Sequence, residues 1–199
     1  MDKFESAFEA VFSKYQSDKI IYKNSYEDAL SDNRGEIKLV FEIGVFKGES
    51  IRAFRDYFFG ALIVGIDIRP ETFFEGDRIK IEIGNACDND FIVKLLGKYG
   101  RPDIVIDDGS HTSADIKALF SLLWKHVNFC YVIEDLDTQY LGFKGHAVPP
   151  GHFINDGEPA SAIIHKKIDD LLLRVGDCKT IKIYRSICFL FKEQNETNS

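Results

Sequence analysis

The 199-residue sequence predicts an α/β fold, with a doubly wound sheet of mostly parallel strands covered by helices on both faces. Three observations carry that expectation. Strand-like apolar runs alternate with segments of helical periodicity, the runs are nearly continuous as in strands buried on both faces, and several end abruptly in acids or glycine. With 45% hydrophobic residues the chain can bury one sizeable core, and a second full domain would be cramped.

Taken in order, residues 1–36 form an N-terminal helical segment, 37–192 the main domain and 193–199 a polar tail. Ile37 to Gly44, IKLVFEIG, is a buried-strand run. GESIRAFRDYF follows as a helix, with Ile51, Phe54 and Phe58 at helical spacing. Ala61 to Ile68 is a second strand and Arg78 to Gly84 a third. Asp88 to Gly100 is a helix with an aspartate at its start and a terminating glycine. IVID, beginning at Ile104, is a fourth strand, Ser113 to Val127 a helix, and Cys130 to Leu136 a fifth strand. After a loop rich in Gly, Pro and His, Pro159 to Gly176 is helical and Cys178 to Lys192 supplies two final strands as a hairpin. Trp124, with Phe120, belongs to the core.

Composition excludes several function classes. A net charge of -7 argues against nucleic acid as a partner, because nonspecific affinity for it comes from clustered Lys and Arg. The four cysteines are scattered without CxxC spacing, and Cys130 and Cys188 sit in apolar runs as small core residues. No signal peptide opens the chain and no run of ~18 apolar residues could span a bilayer. The expectation is a soluble cytoplasmic protein with a small-molecule substrate.

In open parallel sheets ligands bind beyond the carboxyl ends of the strands, where strand order reverses. Asp107, Asp108, Glu134 and Asp135 all fall at such ends and should face one cleft. EIGVFKGES places Gly44 and Gly48 between a strand and a helix, where backbone can approach a ligand and free N–H groups are available. Glu42 there repels a pyrophosphate and suits a cationic or amine-bearing ligand. GIDI puts Asp67 where a carboxylate can accept from ribose hydroxyls. GNACD offers Asn85 to an adenine edge. The bland reading of Asp67 and Asp88 is a turn or helix cap. A GxGxxG fingerprint is absent, which makes an NAD-dependent enzyme the weakest reading.

These residues resemble the class I S-adenosylmethionine-dependent methyltransferases. More narrowly, the chain is similar to the metal-dependent macrolide and tetracenomycin sugar O-methyltransferases, from about Tyr15 to Lys192, through KYQSDK, EIGVFKGES, GIDI, IDDGSH, YVIEDL and YRSICFLFK. The resemblance implies a Rossmann-like, seven-stranded sheet with a reversed last strand. It implies that Glu42, Gly44 and Gly48 hold the amino-acid end of S-adenosylmethionine and Asp67 its ribose, with Asn85 and Asp107 on the same cofactor. It further implies Mg on Asp108, Glu134 and Asp135, with His111 as general base. Ser17 to Lys19, with Tyr22, resembles a segment that folds over the cofactor, so that residues 1–36 would cover the site. Three departures stand out: Asn85 replaces a frequent Asp, Asn128 to Cys130 replace Pro-Gly-Gly, and Gln139 replaces a small residue. The family often forms homo-oligomers, although no residue here marks an interface.

The residues also make chemical sense as a hard-cation site. Mg takes about six oxygen ligands and keeps waters, so three carboxylates leave room for two oxygens of a sugar diol or another polyol. A hydroxyl so bound acidifies, and an imidazole at His111 can take its proton near neutral pH. Thr112 or Ser113 capping a helix, with Asp115 in its first turn, explains those three residues but not the adjacent pair of acids. Asp108 is therefore assigned to the metal and Asp107 to a place behind it. The loop Thr138 to Phe153 reads as a substrate lid, with Tyr140, His146 and His152 as candidate sugar contacts. His126 and His165 fall on helices without a chemical role. Two rivals use the same residues: a cephalosporin-hydroxylase-like enzyme and a non-catalytic nucleoside-binding subunit.

Overall fold

The computed structural model describes residues 6–69, 75–140 and 158–192. Its strands are β1 (Leu39–Ile43), β2 (Leu62–Asp67), β3 (Ile79–Ile83), β4 (Ile104–Asp107), β5 (Cys130–Ile133), β6 (Cys178–Tyr184) and β7 (Ile187–Lys192). Its helices are α1 (Ala7–Lys14), α2 (Lys23–Leu30), α3 (Glu49–Tyr57), α4 (Asn89–Tyr99), α5 (Ser113–Leu123) and α6 (Ser161–Leu172). The strands form one sheet in the order β3-β2-β1-β4-β5-β7-β6. The five on the β3 side pair in parallel, while β7 runs antiparallel to both β5 and β6, so the last strand is the reversed one. The chain builds outward from β1 through β2 to β3, then restarts at β4 on the other flank of β1. That reversal opens a crevice above β1 and β4.

Strand alternation divides the core into two layers. Val40, Ile63, Ile104, Ile106, Cys130, Val132 and Phe189 face α1, α2 and α3, packing with Phe8, Phe12, Tyr26 and Phe54. Leu39, Phe41, Val64, Val105, Tyr131 and Leu190 face the other way, onto Ile92 of α4, Leu119 and Leu123 of α5 and Ile164 of α6. The N-terminal helices thus share the core of the sheet. Phe8 and Phe12 stack with ring centroids 3.7 Å apart, and Phe54 meets Phe12 edge-on at 4.9 Å. Trp124 is buried with Phe120 stacked on it.

The same alternation separates the adjacent acids. Asp107 continues the Val105 face, whereas Glu42, Asp108 and Glu134 continue the face of Val40, Ile106 and Val132, toward the N-terminal segment. Two carboxylates one residue apart therefore do not crowd each other.

Three expected elements end early, among them the helix expected to Gly176, which stops at Leu172. The fifth strand stops at Ile133 rather than Leu136 because Asp135 takes a left-handed conformation, φ 50°, and Leu136 turns its N–H to the Ser186 carbonyl. The helix expected to Val127 ends at Leu123 and tightens into a 3₁₀ turn, Trp124–His126. Asp88 and Thr112 cap α4 and α5, each accepting backbone N–H bonds of the first turn.

Candidate active site

The turn from β1 into α3 is built on two left-handed glycines, Gly44 (φ 90°) and Gly48 (φ 79°). A Cβ on Gly44 would lie 2.0 Å from the Asp108 carbonyl oxygen. The glycine is needed so that the end of β4 can close against β1, as well as for any approach by a ligand. Asp67 locks the turn from the other side, accepting the N–H groups of Val45 (2.9 Å) and Phe46 (3.2 Å) on Oδ2, while Arg69 donates its N–H and guanidinium to the same carboxylate. These donors hold Asp67 below the usual carboxylate range despite the burial that opposes them.

Two cavities flank Gly44 and share Gly44, Arg69 and Gly109 as walls. One, about 360 Å³, is lined by Asp67, Asn85, Ala86, Asp107 and Leu119 among others. The second, about 420 Å³, is lined by Phe46, Asp108, His111 and Asp135. The structure thus places Gly44, Asp67, Asn85 and Asp107 on one half of a cleft and Asp108, His111 and Asp135 on the other. Gly48 and Glu42 are on neither wall: Gly48 caps α3, and Glu42 is wholly buried behind the turn. Asn85 Oδ1 accepts the Cys87 N–H at 2.9 Å, and Asp107 accepts from the Tyr131 hydroxyl at 3.3 Å. Burial pushes Asp107 up to about 7.

On the acidic half, one carboxylate oxygen each from Asp108 and Asp135 and a nitrogen of His111 lie within 4.8 Å of one another. His111 Nε2 is 3.8 Å from Asp108 Oδ1 and 3.7 Å from Asp135 Oδ2, beyond hydrogen-bonding range of either. His111 and Asp135 both have positive φ (58° and 50°), a cost that L-residues meet where surrounding structure holds them. The two carboxylate oxygens at this spacing fit a hard divalent cation such as Mg, which leaves the imidazole beside it free for proton transfer.

The expected third carboxylate is placed differently. Glu134 is buried, with Oε2 2.5 Å from the Lys19 ammonium and Oε1 bonded by the Tyr26 hydroxyl. Lys19 also bonds Asp108 and lies 3.9 Å from Glu42 Oε1. A direct bond from Glu134 to a cation therefore requires Lys19 or Tyr26 to yield. Burial disfavours the charge on Lys19, but Glu134, Asp108 and Glu42 together more than offset it and hold its proton firmly. Among the described residues no well-formed hydrogen bond reaches either oxygen of Glu42; burial pushes it up to about 7, although Lys19 favours its charged form. Within the described residues Lys19 thus stands as the one cation among three buried or half-buried acids, Glu134, Asp108 and Glu42, and the acidic excess suits cationic ligands.

Tyr140 hydrogen-bonds Ser161 (2.8 Å) and lines a third, mostly apolar cavity of about 320 Å³ beside Leu136, Ile164 and Ile168. His146 and His152, with most of the expected lid, lie outside the described residues. The sequence reading did not single out Tyr26 or Arg69, nor the central place of Lys19. Its available signal was the spacing of Lys19, Tyr22 and Tyr26, which puts an ammonium and two hydroxyls on one side of a helical segment.

No protein-family profile matches the chain. Among curated proteins it is 37% identical over 134 residues to demethylmacrocin O-methyltransferase of Streptomyces fradiae, a match covering 62% of this chain and 34% of that one. Mycinamicin VI 2''-O-methyltransferase of Micromonospora griseorubida matches with the same identity and coverage. The fold is that of the solved MycE methyltransferase of the mycinamycin pathway, a complex with Mg, S-adenosylhomocysteine and mycinamycin VI. There the TM-score is 0.82 and the identity 27%, over 98% of this chain and 55% of that one. The matches span about a third of the length of the curated relatives. The resemblance read from the sequence thus leads to sugar O-methyltransferases of macrolide biosynthesis. Among the described residues no helix is long and apolar enough to cross a membrane.

Proposed function

We propose that the chain is an S-adenosylmethionine- and Mg-dependent O-methyltransferase that methylates a hydroxyl of a sugar or polyol in natural-product or glycan biosynthesis. The observation that carries this reading is the convergence of Asp108, His111 and Asp135 at one end of a cleft whose other end is walled by Gly44, Asp67, Asn85 and Asp107. The similarity to macrolide sugar O-methyltransferases supports it. Residues 37–192 act as the methyltransferase domain, residues 1–36 as its cover and 193–199 as a tail. The cytoplasm, where small-molecule donors and acceptors meet, is its place of work.

In this reading Asp67 accepts from the ribose hydroxyls, taking them in place of the Arg69 guanidinium, and Asn85 and Asp107 border the base. Gly44 and Gly48 shape the turn around the amino-acid end, and Glu42 supplies negative charge beneath it. Asp108 and Asp135 hold the divalent cation, with Glu134 as the further carboxylate, joining them only where Tyr26 yields its bond. When bound, the cation acidifies an acceptor hydroxyl and the cofactor offers a methyl on a positively charged sulfur. His111 Nε2 takes the hydroxyl proton as the oxygen attacks in line. The carbon–sulfur bond breaks toward sulfur, and the methyl ends on oxygen. Most of the rate gain is orientation, on the order of 7–11 kcal/mol when two reactants are held in line. Tyr140 and His146 contact the acceptor, with the apolar cavity beside Tyr140 taking the part that carries the sugar.

The test is methyl transfer from labelled S-adenosylmethionine to a panel of deoxysugar glycosides bearing vicinal hydroxyls, with Mg or with chelator. The expected label is on a sugar oxygen and disappears on chelation. Transfer undiminished by chelator, or label on nitrogen or carbon, contradicts the proposal.

A further inference from the structure

The short 3₁₀ helix Asp18–Tyr22 borders the acidic half of the cleft, where Asp18 lines the cavity, and is started by Ser17, whose Oγ accepts the Lys19 N–H. In 3₁₀ geometry residues i and i+3 eclipse, so Lys19 and Tyr22 project from the same side. Each reaches a different carboxylate. Lys19 Nζ bonds Asp108 Oδ2, and the Tyr22 hydroxyl bonds Asp135 Oδ1. The opposite oxygens, Asp108 Oδ1 and Asp135 Oδ2, are those that face His111 Nε2 at 3.8 and 3.7 Å. Both carboxylates are thereby pinned in the same sense, with the outer oxygen held by the N-terminal segment and the inner oxygen turned to a common point.

We propose that Lys19 and Tyr22 are positioning residues for the divalent cation: by occupying one oxygen of Asp108 and one of Asp135, they present the other oxygen of each as a single-point ligand beside His111. The inference rests on reading the cleft as a metal-assisted methyltransferase site, and deepens it by assigning a role to two residues of the N-terminal segment. Partners that orient ligands in this way commonly matter about 10–100-fold in metal affinity. A carboxylate freed from its partner can rotate and bind through both oxygens or neither, so the site loses its geometry as well as its strength.

The experiment titrates the full chain with Mn(II), read by electron paramagnetic resonance, and with S-adenosylhomocysteine, read by calorimetry, in wild type, Tyr22→Phe and Tyr184→Phe. Tyr184→Phe removes a comparable hydroxyl–carboxylate bond, to Asp28, at a residue that lines the third cavity but neither of the two cavities beside Gly44. The expected result is a roughly 10–100-fold weaker Mn(II) affinity and an altered Mn(II) spectrum for Tyr22→Phe alone. Its melting temperature should match wild type, and its S-adenosylhomocysteine affinity should fall by far less than its Mn(II) affinity. Unchanged affinity and spectrum in Tyr22→Phe overturn the positioning role, as does an equal loss in Tyr184→Phe. Wild-type protein that takes up no Mn(II) overturns the parent reading and this inference with it.

Discussion

Replacing Lys19 with methionine lowers the free energy of unfolding by about 3–5 kcal/mol near pH 8, the range found when one partner of a buried ion pair is removed. The ammonium is 2% exposed and stands among Glu134, Asp108 and Glu42, of which the first and last are themselves fully buried. Methionine fills similar volume, so little of the loss comes from a cavity, and nearly all of it from negative charge left without a counter-ion. The pH dependence gives the prediction its signature. Glu42 titrates at about 7 in the folded protein, above its ordinary 4.5, and burial likewise raises Glu134. An acid with a raised folded pKa favours the folded state fully below its unfolded value, and that contribution is lost as pH rises through the folded value. Without Lys19 both values rise further. The deficit of the variant therefore shrinks as pH falls from 8 toward 5, where these acids carry protons. Urea unfolding at several pH values measures it, and a deficit that is constant with pH, or smaller than about 1 kcal/mol, contradicts the assignment of Lys19 as the counter-ion.

The second large effect falls on rate. His111→Ala lowers kcat by about 10²–10⁴-fold, the usual contribution of a positioned general base. That loss corresponds to about 3–5 kcal/mol at the barrier. Affinities for S-adenosylhomocysteine and for Mn(II) should change little, because the base meets the hydroxyl proton while Asp108 and Asp135 hold the cation. An unchanged kcat removes His111 as base. A large loss of Mn(II) affinity would instead make the imidazole a cation ligand, which its 3.7–3.8 Å spacing from both carboxylates also permits in distance.

The fold was largely legible because its strands are short apolar runs bounded by acids, glycine or helical periodicity, and such runs have few alternatives in an α/β chain. The separation of Asp107 and Asp108 onto opposite faces follows from strand alternation, which sends neighbours to opposite sides of the sheet. What the sequence hid is long-range. Lys19 meets Asp108 and Glu134 from 89 and 115 residues away, and its spacing to Tyr22 and Tyr26 marks a shared face without naming the acids it meets. The left-handed turns at His111 and Asp135 were equally hidden, because neither residue is glycine, the usual mark of such a conformation. Asp67 stands between the two cases: its strand-end position was readable, but the two backbone N–H groups it accepts from the β1–α3 turn appear only once β1 and β2 lie side by side.

The central claim is that one cleft binds the methyl donor on its Asp67 half and a divalent cation on its Asp108 half. Calorimetric titration with S-adenosylhomocysteine, with NAD as control and with Mg present or chelated away, tests it most directly. One saturable site for S-adenosylhomocysteine in either condition, and no heat from NAD, is the expected result. Absence of S-adenosylhomocysteine binding in both conditions, or equal binding of NAD, would contradict it.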